Sequence, residues 1–398
     1  MTHITDLVST YVHEAQVSAI KDMAIRSAKI PGVASLTWGL PSFQTPEYIR
    51  QGVKNYLDND LDAGKYTLPG GLLELREQVV IEHFKKTGIK VDADKHVMIS
   101  SGNMQGLNTL FHTVLDPGDE IILTDPCFAS HIQQIKLFNG TPVYWPLREE
   151  SNWELDVDKL PELITNKTQA IVLVSPSNPT GKIFSKGELI KVGLIAKENN
   201  ILVIIDDPYS DFLYENHEQY FNLSSVEELK EHIVYLYSFS KAYAMSGWRL
   251  SYMVMPEELK TEALKVHDAT MICAPRISQL AGIIALSQAS KHKQQFQEAL
   301  FSRRELIENR LSNVPHVFSS QKPEGAYYVF PKIVVEHKNS TDFSIDLLNR
   351  AKVAVTPGSA FGPCGEHHVR MAYCVDEKTI NLAFDRIEEY FLEKKSTI

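Results

Sequence analysis

The stretch Ile233-Val234-Tyr235-Leu236-Tyr237-Ser238-Phe239-Ser240-Lys241-Ala242-Tyr243-Ala244-Met245-Ser246-Gly247-Trp248-Arg249 changes character at Ser238. Before that residue runs an apolar segment rich in β-branched and aromatic side chains, the composition of a buried strand. After it come small and polar residues, and then a second apolar run, Tyr252-Met253-Val254-Met255. Lys241 is thereby held in a loop between two core strands. Most lysines are solvated surface charges, but this one has Ser238, Ser240 and Arg249 around it. Two hydroxyls and a guanidinium suit a phosphate dianion. An amine beside a phosphate site is the arrangement that a carbonyl-bearing phosphate cofactor requires.

Working outward, the run before Lys241 is one of a series. Strands are expected at Val97–Ser100, Glu120–Thr124, Ala170–Val174, Ile201–Ile205, Ile233–Tyr237 and Ser251–Met255, alternating with helices at Met104–Leu115, Phe128–Phe138, Lys186–Glu198 and Leu223–Glu231. Strands this apolar are covered on both faces, as in a mainly parallel α/β sheet. Toward the N-terminus, residues 1–30 read as helical up to Pro31-Gly32, and Ala34–Trp38 as a short strand ending at the Gly39 turn. Thr45 is expected to cap a helix with Pro46 at its first position, and helical spacing follows from Leu72 to Lys86. Beyond about residue 258 the texture shifts to long charged helices, with short strands at 326–334 and 352–356 and a closing helix at 376–395. The division expected is a large α/β domain at 46–285 and a smaller α+β domain made of 1–45 together with 286–398.

At 398 residues, 43% hydrophobic and 23% charged, the chain is an ordinary globular protein of about two domains. A formal net charge of −10, with no basic run, argues against nucleic acid as a partner. No segment has a signal peptide's apolar core or the length of a membrane span, so a cytoplasmic location is expected. The four cysteines, Cys127, Cys273, Cys364 and Cys374, form no C-x-x-C pair, and His367-His368 has no third ligand at useful spacing. Incidental thiols and no metal site are expected.

Ligands of α/β sheets bind at the carboxyl ends of the strands, and there the polar residues gather. Ser101-Gly102-Asn103-Met104 turns into a helix start, whose free N–H groups suit an anion. Ser175-Pro176-Ser177-Asn178-Pro179-Thr180-Gly181 is either a turn alone or a turn that aims the Asn178 amide at a ligand oxygen. Asp206 ends an apolar strand, where a carboxylate is costly without a cationic partner such as a protonated pyridine nitrogen. Tyr209 brings a phenol to the same place, while Asp207 has no such demand and reads either as a support behind the ligand-contacting residues or as a capping group. Phe128 either stacks on a flat ligand or packs in the core. Arg370, in the apolar run Val369–Tyr373, needs an anion, which a substrate carboxylate or a structural salt bridge supplies.

Taken in order, these motifs resemble the class I/II pyridoxal-phosphate aminotransferases of fold type I, the aspartate aminotransferase-like superfamily. The resemblance runs from Gly39-x-Pro41 through Tyr66-x-x-Pro69-x-Gly71, Ser101-Gly102-Asn103-Met104, Asn178-Pro179-Thr180-Gly181, Asp206-Asp207-Pro208-Tyr209, Ser238-x-Ser240-Lys241, Gly247-Trp248-Arg249, Pro323-x-Gly325-Ala326-Tyr327-Tyr328 and Pro357-Gly358-x-x-Phe361-Gly362 to Arg370. It implies the fold type I architecture, an α/β domain with a mainly parallel, mixed seven-stranded sheet covered by helices plus a smaller α+β domain. It implies pyridoxal 5'-phosphate as cofactor and a homodimer with shared active sites, Tyr66 reaching the phosphate in the partner subunit. Amides of Asn103 and Met104, with Ser238, Ser240 and Arg249, would hold the phosphate, and Asn178 and Tyr209 the ring oxygen. Asp206 would keep the ring nitrogen protonated, and Lys241 would bond the aldehyde carbon and later carry the substrate's Cα proton. Gly39 and Arg370 would orient the substrate carboxylate. Relatives often have small residues where Asn103 and Met104 stand, and Gly-Glu-Pro-Asp where this chain has Gly39-Leu40-Pro41-Ser42.

The activity implied is transfer of the amino group of an L-amino acid to a 2-oxo acid such as 2-oxoglutarate. A carbon–sulfur β-lyase or decarboxylase on the same cofactor shares nearly all these residues, and a non-enzymatic cofactor sensor is the third reading. Trp38, Tyr327 and Phe128 would form an aromatic wall favouring apolar or aromatic substrates, whereas Arg276 would reach across the subunit interface to a second carboxylate. Aspartate, aromatic and alanine-type donors stay open.

Overall fold

Seven strands pair into one sheet: β1 (Val97–Ser100), β2 (Glu120–Asp125), β3 (Thr141–Pro146), β4 (Thr168–Leu173), β5 (Leu202–Asp207), β6 (Ile233–Ser238) and β7 (Ser251–Val254). The computed structural model that shows them describes residues 7–15, 18–214, 220–288 and 291–395. The spatial order is β1-β7-β6-β5-β4-β2-β3. β2 to β6 run parallel, and only β7 runs against its neighbours β6 and β1.

The alternation of side chains along a strand explains why both faces are covered. Ile171, Leu173, Val203, Ile205, Tyr235 and Tyr237 enter one core, and the residues between them, Val172, Ile204, Val234 and Leu236, enter the other. Each large aliphatic side chain so buried contributes about 1.5–3 kcal/mol. The first of these cores also takes Ile49, Val53, Leu75, Val79 and Leu280 from helices Glu47–Asn59, Leu73–Thr87 and Arg276–Ser287. A separate core gathers Ala34, Leu36, Val174, Tyr209, Phe212 and Tyr214 with residues between Leu300 and Phe391. Its strands are short: Val369–Ala372 pairs antiparallel with Tyr328–Val329 on one side and Thr356–Pro357 on the other, and Ala34–Ser35 lies parallel to Val353–Ala354.

Several sequence expectations change here. β3, Thr141-Pro142-Val143-Tyr144-Trp145-Pro146, was not among the expected strands; it is the sheet's edge, the position where a strand tolerates prolines. Leu223–Glu231 forms two 3-10 turns, Leu223–Ser225 and Glu227–His232, in place of a helix. The helix after Pro46 starts at Glu47, and the Thr45 hydroxyl does not cap it; it donates to the Ala244 carbonyl and accepts from Trp248 Nε1. The helical reading of residues 1–30 holds at Thr10–Glu14 and Ala19–Ala28, and its portion at 1–6 and 16–17 lies outside the described residues. Among the described residues, no helix is long and apolar enough to cross a membrane, and no group of three or more His, Cys, Asp or Glu side chains is placed to hold a metal ion.

Candidate active site

A cavity of about 270 Å³ opens at the carboxyl ends of the parallel strands. Each strand end delivers one part of its lining. β1 runs through Gly102, at φ +82°, into the helix Asn103–Val114, whose first residues Asn103 and Met104 line the cavity. The left-handed backbone suits glycine here, and a side chain at this position would collide with the Arg249 guanidinium. β2 leads to Phe128 and Ser130. β4 leads to Asn178, β5 to Asp206 and Tyr209, and β6 to Ser238, Ser240 and Lys241. Gly39, Tyr328 and Arg370 close the site from the smaller core, and Ser18, Ile20 and Lys21 from the start of the helix Ala19–Ala28.

The electrostatics are those of a site built for anions and an amine. Lys241 Nζ donates to the Gly39 carbonyl at 2.6 Å. Desolvation, with Arg370 and Arg249 adding to it against the opposing pull of Cys374 and Asp206, brings the amine from its ordinary value down to about 8. Arg249 is held by two carbonyls, Ser246 O at 2.8 Å and Ser101 O at 3.3 Å, and no carboxylate pairs with it among the described residues. Arg370 is 1% exposed. It donates to Asn178 Oδ1 at 3.0 Å and to the Thr37 carbonyl at 2.5 Å, its guanidinium lies 4.6 Å from the Tyr328 ring centre, and its Nε is buried without a hydrogen-bond partner among the described residues. A buried guanidinium satisfied only by neutral acceptors is short of an anion.

Asp206, 5% exposed, accepts from Asn103 Nδ2 at 2.6 Å and bonds His131 Nε2 at 3.0 Å. Asp207, fully buried, serves the fold instead: it accepts from the hydroxyls of Tyr235 at 2.6 Å and Tyr220 at 3.2 Å and from the backbone of Tyr209 and Ser210. Tyr209 Oη lies 2.9 Å from Tyr328 Oη, and burial, reinforced by Tyr328, keeps its phenol well above the ordinary range.

The structure therefore brings Asn103, Met104, Phe128, Asn178, Asp206, Tyr209, Ser238, Ser240, Lys241, Arg249, Gly39 and Arg370 to one cavity. It does not bring Trp38, Tyr327 or Tyr66 there. Trp38 is 53% exposed on the surface. Tyr327 is fully buried, its hydroxyl donating to the Gly39 carbonyl at 3.2 Å, and its neighbour Tyr328 faces the cavity in its place. Tyr66 is 76% exposed on an outer loop. Arg276 is paired with Asp60 at 3.2 Å. Sequence reasoning missed His131, Lys21 and Tyr328. His131 carried a signal, a polar residue on the buried face of the helix that follows a strand end; Lys21 carried none.

A family model described as aminotransferase class I and II matches residues 32–387. The chain is 36% identical to an aspartate aminotransferase of Pyrococcus horikoshii over 94% of each chain, and 32% identical to aromatic-amino-acid aminotransferase 2 of Thermococcus litoralis over 96% of this chain and 97% of that one. Among solved structures, an alanine aminotransferase from Pyrococcus furiosus superposes with a TM-score of 0.90 at 30% identity, covering 97% of this chain and 100% of that one. The chain belongs to the class I and II aminotransferases, pyridoxal-phosphate-dependent transferases of fold type I that move an amino group between an amino acid and a 2-oxo acid.

Proposed function

We propose that the cavity binds pyridoxal 5'-phosphate with Lys241 at its aldehyde and Asp206 at its ring nitrogen, and that the aminotransferase runs a two-stage exchange between an L-amino acid and 2-oxoglutarate. The observation that carries this reading is the pairing of an amine of lowered basicity with a buried carboxylate in one cavity, flanked by two arginines that lack carboxylate partners among the described residues. When bound, the cofactor supplies an aldehyde that captures amines and a protonated ring that accepts electrons from the substrate's Cα.

The chain's residues do the rest. The amides opening the helix at Asn103 and Met104, the hydroxyls of Ser238 and Ser240, and the Arg249 guanidinium hold the phosphate. Phe128 would lie against the ring, and Asn178 and Tyr209 would donate to its oxygen. Asp206 keeps the ring nitrogen protonated. Lys241, freed when the incoming amino acid takes its place, would take the proton from Cα and deliver it to the cofactor carbon that had carried the aldehyde. Arg370 and the Gly39 backbone grip the α-carboxylate and so orient the Cα–H bond.

The amine must be neutral to attack an aldehyde. With its pKa near 8, the neutral fraction rises about tenfold per pH unit below that value and levels off above it. Stopped-flow uptake of pyridoxal phosphate by the cofactor-free protein is expected to follow that curve, and a rate flat from pH 6 to 9 contradicts it.

The 2-oxoglutarate assignment rests on Lys21. Arg276 is engaged by Asp60, whereas Lys21 lines the mouth of the cavity and pairs with no carboxylate among the described residues. A dicarboxylic acid would then span Arg370 and Lys21. Lys21→Gln is expected to raise KM for 2-oxoglutarate about tenfold, the loss of one exposed charge-assisted contact, and to leave KM for a monocarboxylic 2-oxo acid unchanged. Equal effects on both acids contradict the assignment. A carbon–sulfur lyase would instead release ammonia and pyruvate, and product analysis separates the two.

The working unit is taken to be a homodimer. Trp38, Leu57, Leu61, Tyr66, Leu68 and Ile272 leave large apolar surfaces exposed on one subunit, and a second copy covering them supports a role for Tyr66 at the partner's phosphate. Residues 46–285 are read as the large domain and 1–45 with 286–398 as the small one; the two pack together, since Tyr209, Phe212 and Tyr214 join the smaller core and Phe330 and Phe361 the larger.

A further inference from the structure

Asn103 contributes more to the site than its backbone amide. Its side-chain N–H donates to Asp206 Oδ1 at 2.6 Å, a short, charge-assisted bond, and its own carbonyl oxygen is buried without a hydrogen-bond partner among the described residues. The opposite orientation of the amide would set its oxygen against a carboxylate oxygen, so the donor assignment follows from the contact. Among the described residues, the Asp206 bond alone thus fixes the Asn103 side-chain amide. On the other side of the carboxylate, Oδ2 meets His131 Nε2 at 3.0 Å. Both oxygens of a carboxylate at the end of an apolar strand are held before any ligand arrives.

We propose that Asn103 is a positioning residue for Asp206: its side chain fixes the carboxylate that meets the cofactor's ring nitrogen, while its backbone N–H, opening the helix Asn103–Val114, faces the phosphate. Two consequences follow, both resting on the cofactor reading above. First, Asp206 cannot rotate between its two neighbours, so the acceptor for the ring N–H is preorganised. Second, donors to a carboxylate stabilise its charged form. In the contact between Asp206 and the ring nitrogen, the proton is then held on nitrogen, where the ring can accept electrons. Alanine or serine at this position has no group long enough to replace the amide.

The test compares two ligands of the cofactor-free protein. Pyridoxal phosphate has the ring nitrogen; its 1-deaza analogue carries C–H at that position and keeps the aldehyde, ring oxygen and phosphate. Dissociation constants are read from quenching of tryptophan fluorescence for the unmodified protein, for Asn103→Ala and for Asn103→Leu, which keeps the side chain's volume without its donor. Thermal melting of each variant is recorded alongside. The expected result is a loss of about tenfold for pyridoxal phosphate in both variants and less than twofold for the deaza analogue. A role confined to folding or to the phosphate end would weaken both ligands equally, and that outcome, or unchanged affinity for pyridoxal phosphate, overturns the proposal while leaving the cofactor reading intact. Failure of the unmodified protein to take up pyridoxal phosphate overturns both.

Discussion

Lys241→Ala is expected to lower transamination by at least about 10⁴-fold and to abolish the visible absorbance of the holoenzyme. The size follows from two functions in one amine. Proton transfer by a positioned base contributes about 10²–10⁴, and the same amine is the group that captures the cofactor's aldehyde. The fold has little stake in it. Lys241 is only half-buried, and among the described residues its amine makes a single hydrogen bond, to the Gly39 carbonyl. Alanine preserves the helical turn Phe239–Ala242 that carries it. The melting temperature should therefore stay within a few degrees while chemistry is lost. The half-reaction of the variant with an amino acid, followed in a single turnover, is the direct measurement; transamination at more than about a hundredth of the normal rate would exclude Lys241 as the proton carrier.

Arg370→Leu is expected to cost about 10³-fold in kcat/KM, expressed mainly in KM. Breaking a buried, hydrogen-bonded charge pair costs about 3–5 kcal/mol, and each 1.4 kcal/mol is a factor of about ten. Without substrate, however, Arg370 has among the described residues only the Asn178 amide oxygen, the Thr37 carbonyl and the faces of Tyr328 and Phe361 for company. Its Nε has no hydrogen-bond partner among the described residues. Removing a charge so placed relieves desolvation in the empty protein, so thermal stability should be unchanged or higher even as carboxylate affinity collapses. Arg370→Lys is expected to recover little of the loss, because a point charge cannot reproduce a two-pronged contact. Calorimetric binding of a simple dicarboxylate such as maleate to the holoenzyme checks this separately from turnover. Unchanged affinity would move the carboxylate site elsewhere.

The sheet was legible because its strands are apolar on both faces and end abruptly in polar residues. Asp206 after Leu202–Ile205, Asn178 after Ala170–Val174 and Lys241 after Ile233–Tyr237 all stand where an apolar run stops, and the structure gathers them at one cavity. What stayed hidden has physical causes. Pro142 and Pro146 disguise β3, since the missing N–H groups matter only inside a sheet. Tyr327 and Tyr328 are neighbours of one residue type, and only the pairing of Tyr328 with Ala372 decides which of them faces the cavity. His131 shows in sequence only as a polar residue on the buried face of its helix, and its partner is revealed when β5 brings Asp206 to its ring. Lys21 reaches the cavity from a helix far away in sequence, so no local pattern announces it.

The doublet at the end of β5 places two chemically identical acids side by side and sends them opposite ways. Pleat parity, not residue type, makes one a cavity-facing anion and the other a knot tying phenols together. Inserting or deleting a single residue upstream in that strand would exchange their destinations at a stroke. The length of β5 is thus as much a determinant of chemistry as the identity of its last residues.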